Sequence, residues 1–230
     1  MSVRRRDTAA PAEVEVVDLP ETWRRRPWIP YAIMGALLLA TIGAGYAVQQ
    51  AVATPQPAAL ASCKTSTATG PRVFIAPQPI CILPHHKYTA TVNTTQGTIV
   101  IELLPDQAPD TVNNFVVLAV NGYYNNLEWW KSEDWVIQTG DPSNNGTGGP
   151  GYNLPDESNA TLKWGLGAVG MARVPGGAVN GSQFFIEKAA WPGGGPTAVY
   201  NRFGSVVSGL DKAQLITTQD SILSVTIAVT

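Results

Sequence analysis

From Tyr88 to the last residue, short apolar runs alternate with Gly-rich turns, and this texture limits the fold more than any other feature of the chain. Tyr88-Thr89-Ala90-Thr91-Val92 and Thr98-Ile99-Val100-Ile101-Glu102-Leu103 are rich in β-branched residues and flank Gln96-Gly97, a pattern that reads as a hairpin. Further runs at 135–138, 167–172, 183–186, 203–207 and 221–229 read as strands. Pro109 suits the first turn of a helix, with Asp110 favourable at its positive end. Val112, Phe115, Val116 and Ala119 keep the i, i+3, i+4, i+7 spacing of a buried stripe, and Gly122 suits the stop. A second helix is predicted around Leu210 to Thr217. The 22 Gly and 18 Pro favour turn-rich β structure over a helical bundle. These elements predict a mainly β domain over 85–230, a closed or nearly closed barrel capped by two helices.

Ahead of this domain the texture changes three times. Residues 1–27 are polar and mixed in charge, with Arg4-Arg5-Arg6 and Arg24-Arg25-Arg26, and read as a disordered tail. Ile29 to Val48 contains Ala36-Leu37-Leu38-Leu39-Ala40 and no charged residue. Roughly twenty apolar residues are what a bilayer core requires for one helical span, so 28–50 is expected to be a transmembrane anchor. Three Arg precede the run closely and one Lys follows it. That bias puts the N-terminus in the cytoplasm and the domain outside, in a single-pass protein of the cell membrane. Ala51-Val52-Ala53 resembles a signal-peptide cleavage site, but the leading polar region is long and the apolar run exceeds the usual length. Leu60-Ala61-Ser62-Cys63 loosely resembles a lipidation site, but a Pro/Ala spacer separates it from the apolar run. Residues 51–84 read as an extracytoplasmic linker carrying Cys63 and Cys81. In an oxidising exterior the two are expected to pair, which contributes about 3 kcal/mol for a loop of this length. Two free thiols are the alternative.

Composition excludes several classes of function. Charged residues make up 14% of the chain and the net charge is −2, which argues against a nucleic-acid footprint. Two Cys and two His leave little room for a structural zinc site, and the adjacent His85-His86 read as a solvated linker. Both His precede the first strand of the domain and both Cys lie in the linker, so no nucleophilic triad can be assembled. No phosphate-binding or dinucleotide-binding glycine motif appears. Gly146-Thr147-Gly148-Gly149-Pro150-Gly151 contains a proline and reads as a shaped loop. The chemistry expected is therefore free of metal, cofactor and covalent intermediate. No internal repeat is visible, and a monomeric domain is expected.

What remains is a set of amides and aromatics. In Asn180-Gly181-Ser182-Gln183-Phe184-Phe185-Ile186, strand alternation gives Phe184 and Ile186 one face and Gln183 and Phe185 the other. The first pair suits a core. The second sets an amide beside a ring, as a surface that grips an apolar ligand requires, although a plain strand facing solvent has the same pattern. Trp135 with Gln138, then Trp191 and Tyr200, add to the same inventory.

Gly140-Asp141, Asn145 to Tyr152, Gly170-Met171-Ala172, Asn180 to Ile186 and Arg202-Phe203-Gly204 occur in an order and spacing that resemble the cyclophilin family. Ala108-Pro109-Asp110-Thr111-Val112-Asn113-Asn114-Phe115 fits the same pattern, and the likeness covers about 85–230. The variant it most resembles is a bacterial membrane-anchored one. The resemblance implies a closed eight-stranded antiparallel barrel with two helices, and peptidyl-prolyl cis-trans isomerase activity. It implies that Trp135, Val136, Phe185 and Trp191 wall a proline pocket. Gln138, Gln183 and the main chain at Ala172 would bind substrate backbone, and Tyr200 falls where many members have His or Tyr. The partners implied are proline-containing segments of exported proteins.

One segment departs from the family. Its usual Phe-His-Arg signature is replaced by Trp129-Trp130-Lys131-Ser132-Glu133-Asp134-Trp135, one residue shorter. With the gap placed after Lys131, that Lys takes the Arg position, and a point charge does not reproduce a planar bidentate grip. Glu133 and Asp134 are placed to draw Lys131 away by ion pairing, and Arg173, where the family usually has Asn, offers a substitute cation. Reduced turnover is expected. A proline-peptide-binding module of the same fold is the rival reading, and a scaffold without ligand is a weaker third. Sequons at Asn93, Asn145, Asn159 and Asn180 read as turn chemistry.

Overall fold

The domain grows outward from its first hairpin. In the computed structural model, which describes residues 57–158, 161–174, 176–194 and 200–230, a small leading hairpin joins β1 (Ala68–Gly70) to β2 (Val73–Phe74). Then β3 (Tyr88–Thr94) pairs with β4 (Gly97–Leu103), Thr94 facing Gly97 across the turn. Alternation buries Tyr88, Ala90, Val92, Ile99, Ile101 and Leu103 on one face. A one-residue slip would turn that whole set to solvent, so the register is strongly fixed.

The other strands are β5 (Lys131–Ser132), β6 (Val136–Thr139), β7 (Asn153–Leu154), β8 (Ala168–Arg173), β9 (Val179–Glu187), β10 (Arg202–Ser208) and β11 (Ile222–Val229). They pair antiparallel in the order β11-β3-β4-β10-β8-β9-β6-β5, with β7 beside β9. This corrects the expected closed eight-stranded barrel. The nine-stranded sheet curls, but among the described residues no strand pair joins β5 to β11. The irregular 126–129 stretch spans the seam instead. Asn126 N–H donates to the Ile222 carbonyl (2.7 Å), Ile222 N–H to the Leu127 carbonyl (2.8 Å) and Trp129 N–H to the Asp220 carbonyl (3.1 Å). With only two residues, β5 is too short to present a ladder to the far edge.

Two helices complete the domain, α1 (Pro109–Val120) and α2 (Leu210–Leu215). All four stripe residues of α1 are buried, Phe115 against Tyr124, Phe184 and Phe203 at ring distances of 5.0, 5.5 and 5.2 Å. Burying each such side chain contributes about 1.5–3 kcal/mol. The helix carries no side-chain cap of its own. Glu157 supplies one from a distant loop, accepting from the N–H of Asp110 (2.9 Å) and Thr111 (2.8 Å) and from the Thr111 hydroxyl (2.6 Å). A carboxylate there satisfies orphan donors and complements the helix dipole. At the other end Gly122 adopts φ +74°, while its N–H bonds to Ala119 and that of Tyr123 to Leu118. This paired cap requires the left-handed residue that glycine provides at least cost.

The stretch expected as a linker over 51–84 is, from Pro57 onward, packed onto the domain. Leu60, Cys63 and Phe74 are buried in the common core. Cys63 and Cys81 form a disulfide, with Cα atoms 5.1 Å apart. The Asn113 carboxamide accepts from Cys81 N–H (2.8 Å) and donates to the Pro79 carbonyl (3.0 Å). Phe74 N–H donates to the Pro150 carbonyl (2.9 Å), and Gln78 Nε2 donates to the Tyr152 hydroxyl (2.8 Å). No described helix is long and apolar enough to cross a membrane. The tail over 1–27 and the anchor expected over 28–50 lie outside the described residues.

Candidate active site

Alternation along β9 sorts its side chains into two functions. Phe184 and Ile186 are fully buried in the core, whereas Gln183, Phe185 and Glu187 point to the opposite face of the sheet. The neighbouring strands obey the same rule: Ile137, Val169 and Met171 go inward, and Val136, Gln138, Gly170 and Ala172 go outward. The register then aligns one row across four strands. Lys131 faces Gln138, Gln138 faces Phe185, and Phe185 faces Gly170. Strands lie about 4.8 Å apart in this direction, so the row sets a cation, an amide and a ring at neighbouring positions on one wall.

That wall opens on a cleft of about 670 Å³. Lys131, Gln138, Gln183 and Phe185 all line it, as do Trp135, Val136, Ala172, Arg173, Trp191 and Tyr200. Aromatic contacts give the cleft its floor. Phe185, only 3% exposed, meets Tyr200 edge-on at 5.2 Å and Trp191 at 5.9 Å, and Trp135 lies 4.3 Å from Trp191. Edge-on ring pairs add about 0.5–1.5 kcal/mol beyond area burial, enough to hold a preformed apolar pocket.

The polar groups are more constrained than their residue types suggest. Gln183 Nε2 donates to the Gly148 carbonyl (2.7 Å) and the Gly146 carbonyl (3.1 Å), and its oxygen accepts from Gln138 Nε2 (3.0 Å). This amide therefore braces the 146–148 loop and orients Gln138. The loop is fixed from below by Asp141, whose carboxylate accepts from the N–H of Ser143 (2.7 Å), Asn145 (3.0 Å) and Gly146 (2.5 Å). Although burial works to raise it, those amide bonds hold the Asp141 carboxyl below its usual range.

Lys131 sits at the rim. Its ammonium is 3.1 Å from the Glu133 carboxylate and 5.9 Å from the Trp135 ring centroid. Arg173 lines the cleft, but its guanidinium is held by Asp156 (2.6 Å) and the Gly177 carbonyl (2.7 Å). These partners engage the guanidinium that the sequence reading offered as a substitute cation, one from the segment after β7 and one from its own loop. Among the described residues no three His, Cys, Asp or Glu side chains gather as a metal ion would require.

Two features escaped the sequence reading. Trp164 stacks on Phe185 at 5.5 Å with an interplanar angle of 23°. Glu187, on the same face two residues beyond Phe185, is fully buried, with no side chain paired to its carboxylate. Burial raises its pKa from 4.5 to about 7, against the opposing pull of the Gly165 amide and the Arg202 guanidinium. A lone Trp in a loop and a Glu inside an apolar strand carry no motif, and only the fold brings them together.

A curled antiparallel sheet carries an aromatic cleft on its outer face, bordered by amides and a cation, the form of a pocket for an apolar group flanked by hydrogen-bonding partners. A family model described as cyclophilin type peptidyl-prolyl cis-trans isomerase/CLD matches residues 89–227. The chain belongs to that family of isomerases. A peptidyl-prolyl cis-trans isomerase-like 1 of Emericella nidulans is 40% identical over 127 residues, 52% of this chain and 75% of that protein. A peptidyl-prolyl cis-trans isomerase-like 2 of Rhizopus delemar is 41% identical over 130 residues, 54% of this chain but 24% of that relative's length. Among solved structures, a cyclophilin type peptidyl-prolyl cis-trans isomerase of Cryptosporidium parvum superposes with a TM-score of 0.55 at 28% identity. It covers 62% of this chain and 98% of that one, and a second structure of it was solved in the presence of the dipeptide Ala-Pro.

Proposed function

We propose that this protein is a peptidyl-prolyl cis-trans isomerase that acts on X-Pro bonds of exported proteins and works outside the cytoplasm from a single membrane anchor. The observation that carries the catalytic part is the cross-strand row of Lys131, Gln138 and Phe185 on one wall of an aromatic cleft. Rotation about a peptide bond has a barrier of about 18–20 kcal/mol and breaks no covalent bond. It is accelerated by groups that bind the twisted amide better than either planar form. Phe185, Val136 and Trp191 would hold the proline ring while Gln138 and the Ala172 main chain hold the flanking peptide. In the twisted state the nitrogen lone pair is localised, so a donor from Lys131 gains strength as the amide leaves planarity. The Cryptosporidium parvum structure solved in the presence of the dipeptide Ala-Pro supports this class of ligand. The disulfide supports an oxidising compartment, and the uncharged run over 29–48 supports the anchor.

The test is an isomerisation assay on X-Pro peptides with the full-length protein. Turnover above the uncatalysed rate, strongly reduced but still measurable in Phe185→Ala, is the expected result. Binding of proline peptides without turnover would overturn the enzyme reading and leave a binding module, which the Lys131–Glu133 pairing would then explain. Recovery of the cleft-bearing domain from the cytoplasmic rather than the outer side of the membrane would overturn the localisation.

A further inference from the structure

The geometry points to Trp164 as a positioning residue for the proline pocket, acting through Phe185; this rests on the isomerase reading above. Phe185 is the ring at the centre of the aromatic wall, and a proline ring bound there gains only if Phe185 stays in one place. Tyr200 and Trp191 meet it edge-on, but Trp164 is the stacked partner, at 5.5 Å and 23°. Trp164 also meets Tyr200 at 5.9 Å and Trp191 at 6.2 Å, so one indole touches three of the four rings of the cleft floor, all but Trp135.

The sheet has been shaped to admit this indole. Gly170 faces Phe185 across the β8–β9 ladder. A Cβ at Gly170 would lie 2.6 Å from Trp164 Cη2 and 2.7 Å from Phe185 Cζ, so any larger residue would push the two rings out of place. The indole is held from its own side as well. Gly167 N–H donates to the Glu187 carbonyl (2.8 Å), Val206 N–H to the Gly167 carbonyl (2.8 Å), and Arg202 to the Lys163 carbonyl. The loop is thus pinned to β9 and β10 on either side of Trp164. Trp164 packs behind rings that line the cleft, so its role is to position them and not to act on the peptide itself.

The experiment is a double-mutant cycle in the full-length protein, read by kcat/KM on an X-Pro peptide and by thermal midpoint. Trp164→Ala should lower kcat/KM by about tenfold, the scale of one lost aromatic pair at a site that demands precise placement. Trp164→Phe should restore most of it. Gly170→Ala should reproduce the Trp164→Ala loss with the indole still present. In the background of Phe185→Ala, removing Trp164 should cost nothing further, because it acts through the missing ring. Additive losses in the cycle, or an unchanged kcat/KM in Trp164→Ala, would overturn the proposal. So would a thermal midpoint that falls while kcat/KM at a temperature well below it stays at the parent value. If Trp164→Ala does not fold, Trp164→Phe and Gly170→Ala carry the same test. An inactive parent protein would strike the isomerase reading itself. The cycle would then be read through peptide affinity, where additivity again overturns the role of Trp164.

Discussion

The ammonium of Lys131 is held 3.1 Å from the carboxylate of Glu133, two residues further along the chain. The Glu133 main chain is fixed beside it, because its N–H donates to the Val136 carbonyl (2.8 Å) and closes the turn between β5 and β6. The cation that should meet a twisting amide is therefore engaged by its own hairpin whenever the cleft is empty. Both partners are partly exposed, so the pair contributes about 0.2–1 kcal/mol, and a substrate competes with it at modest cost.

Releasing that cation should increase turnover. Glu133→Gln is expected to raise kcat/KM by about two- to fivefold, the factor that corresponds to losing a pair of this strength. Lys131→Arg should raise it further by offering a planar donor set. Lys131→Ala should lower it by about tenfold or more, since hydrogen bonds to charged groups are worth about 1.5–3 kcal/mol. Equal kcat/KM in the parent and Glu133→Gln would show that the pair does not restrain the cation.

Removing the disulfide should loosen the leading segment. Cys63→Ser with Cys81→Ser is expected to cost about 3 kcal/mol. For a domain of this size that corresponds to a fall in Tm of about 6–12 °C. Scanning calorimetry with and without a reductant measures it. A reductant that leaves the parent Tm in place would mean that packing alone holds the segment.

Stability should decline as pH rises toward neutrality, through Glu187. The unfolded carboxyl titrates near 4.5 and the folded one near 7, so between those values the folded state binds more protons. Stability is greatest below the unfolded pKa and falls as the group ionises, by up to about 3 kcal/mol once pH passes 7. Asp141, Asp156 and Asp220, whose carboxyls are lowered, act oppositely but only at more acid pH. Denaturant titrations from pH 5 to 8 should show the decline in the parent and its loss in Glu187→Gln. A parallel slope in the two proteins would rule it out.

Bracing of the glycine loop should be separable from ligand binding. Gln183→Ala removes both carbonyl contacts to Gly146 and Gly148, together with the partner of Gln138. The expected outcome is a rise in KM by about tenfold with a Tm loss of a few degrees, because two or more hydrogen bonds near a cleft are lost. Hydrogen exchange at Gly146 and Gly148 should accelerate. Protection unchanged at those amides would place the bracing in Asp141 alone.

Local chemistry made much of this legible in advance. The period-two pattern of β9 separated Phe184 from Phe185, and the stripe with its Pro and Gly punctuation marked α1 within a few residues. The residues of the cleft wall were recoverable because they sit in short ordered motifs. What failed were relationships across long sequence distances. Closure of the sheet depended on the two-residue length of β5, to which no propensity speaks. The cap of α1 comes from Glu157, 47 residues from Asp110. Trp164 is a lone aromatic among glycines, and its role exists only because Gly170 leaves room for it. Residues 57–84 carry no apolar period and several prolines, so they resembled a linker although their few apolar side chains find core positions.

That leading segment sets the true size of the folding unit. The family pattern begins at residue 89, yet Leu60, Cys63 and Phe74 share a core with it, and Asn113 reserves its carboxamide for Cys81 and Pro79. A domain trimmed to the family boundary would keep every cleft residue and still inherit a buried amide at Asn113 without its partners and a core stripped of three side chains. A cut at residue 85 would therefore separate side chains that share one core. The cut would fall inside a structural unit rather than between two.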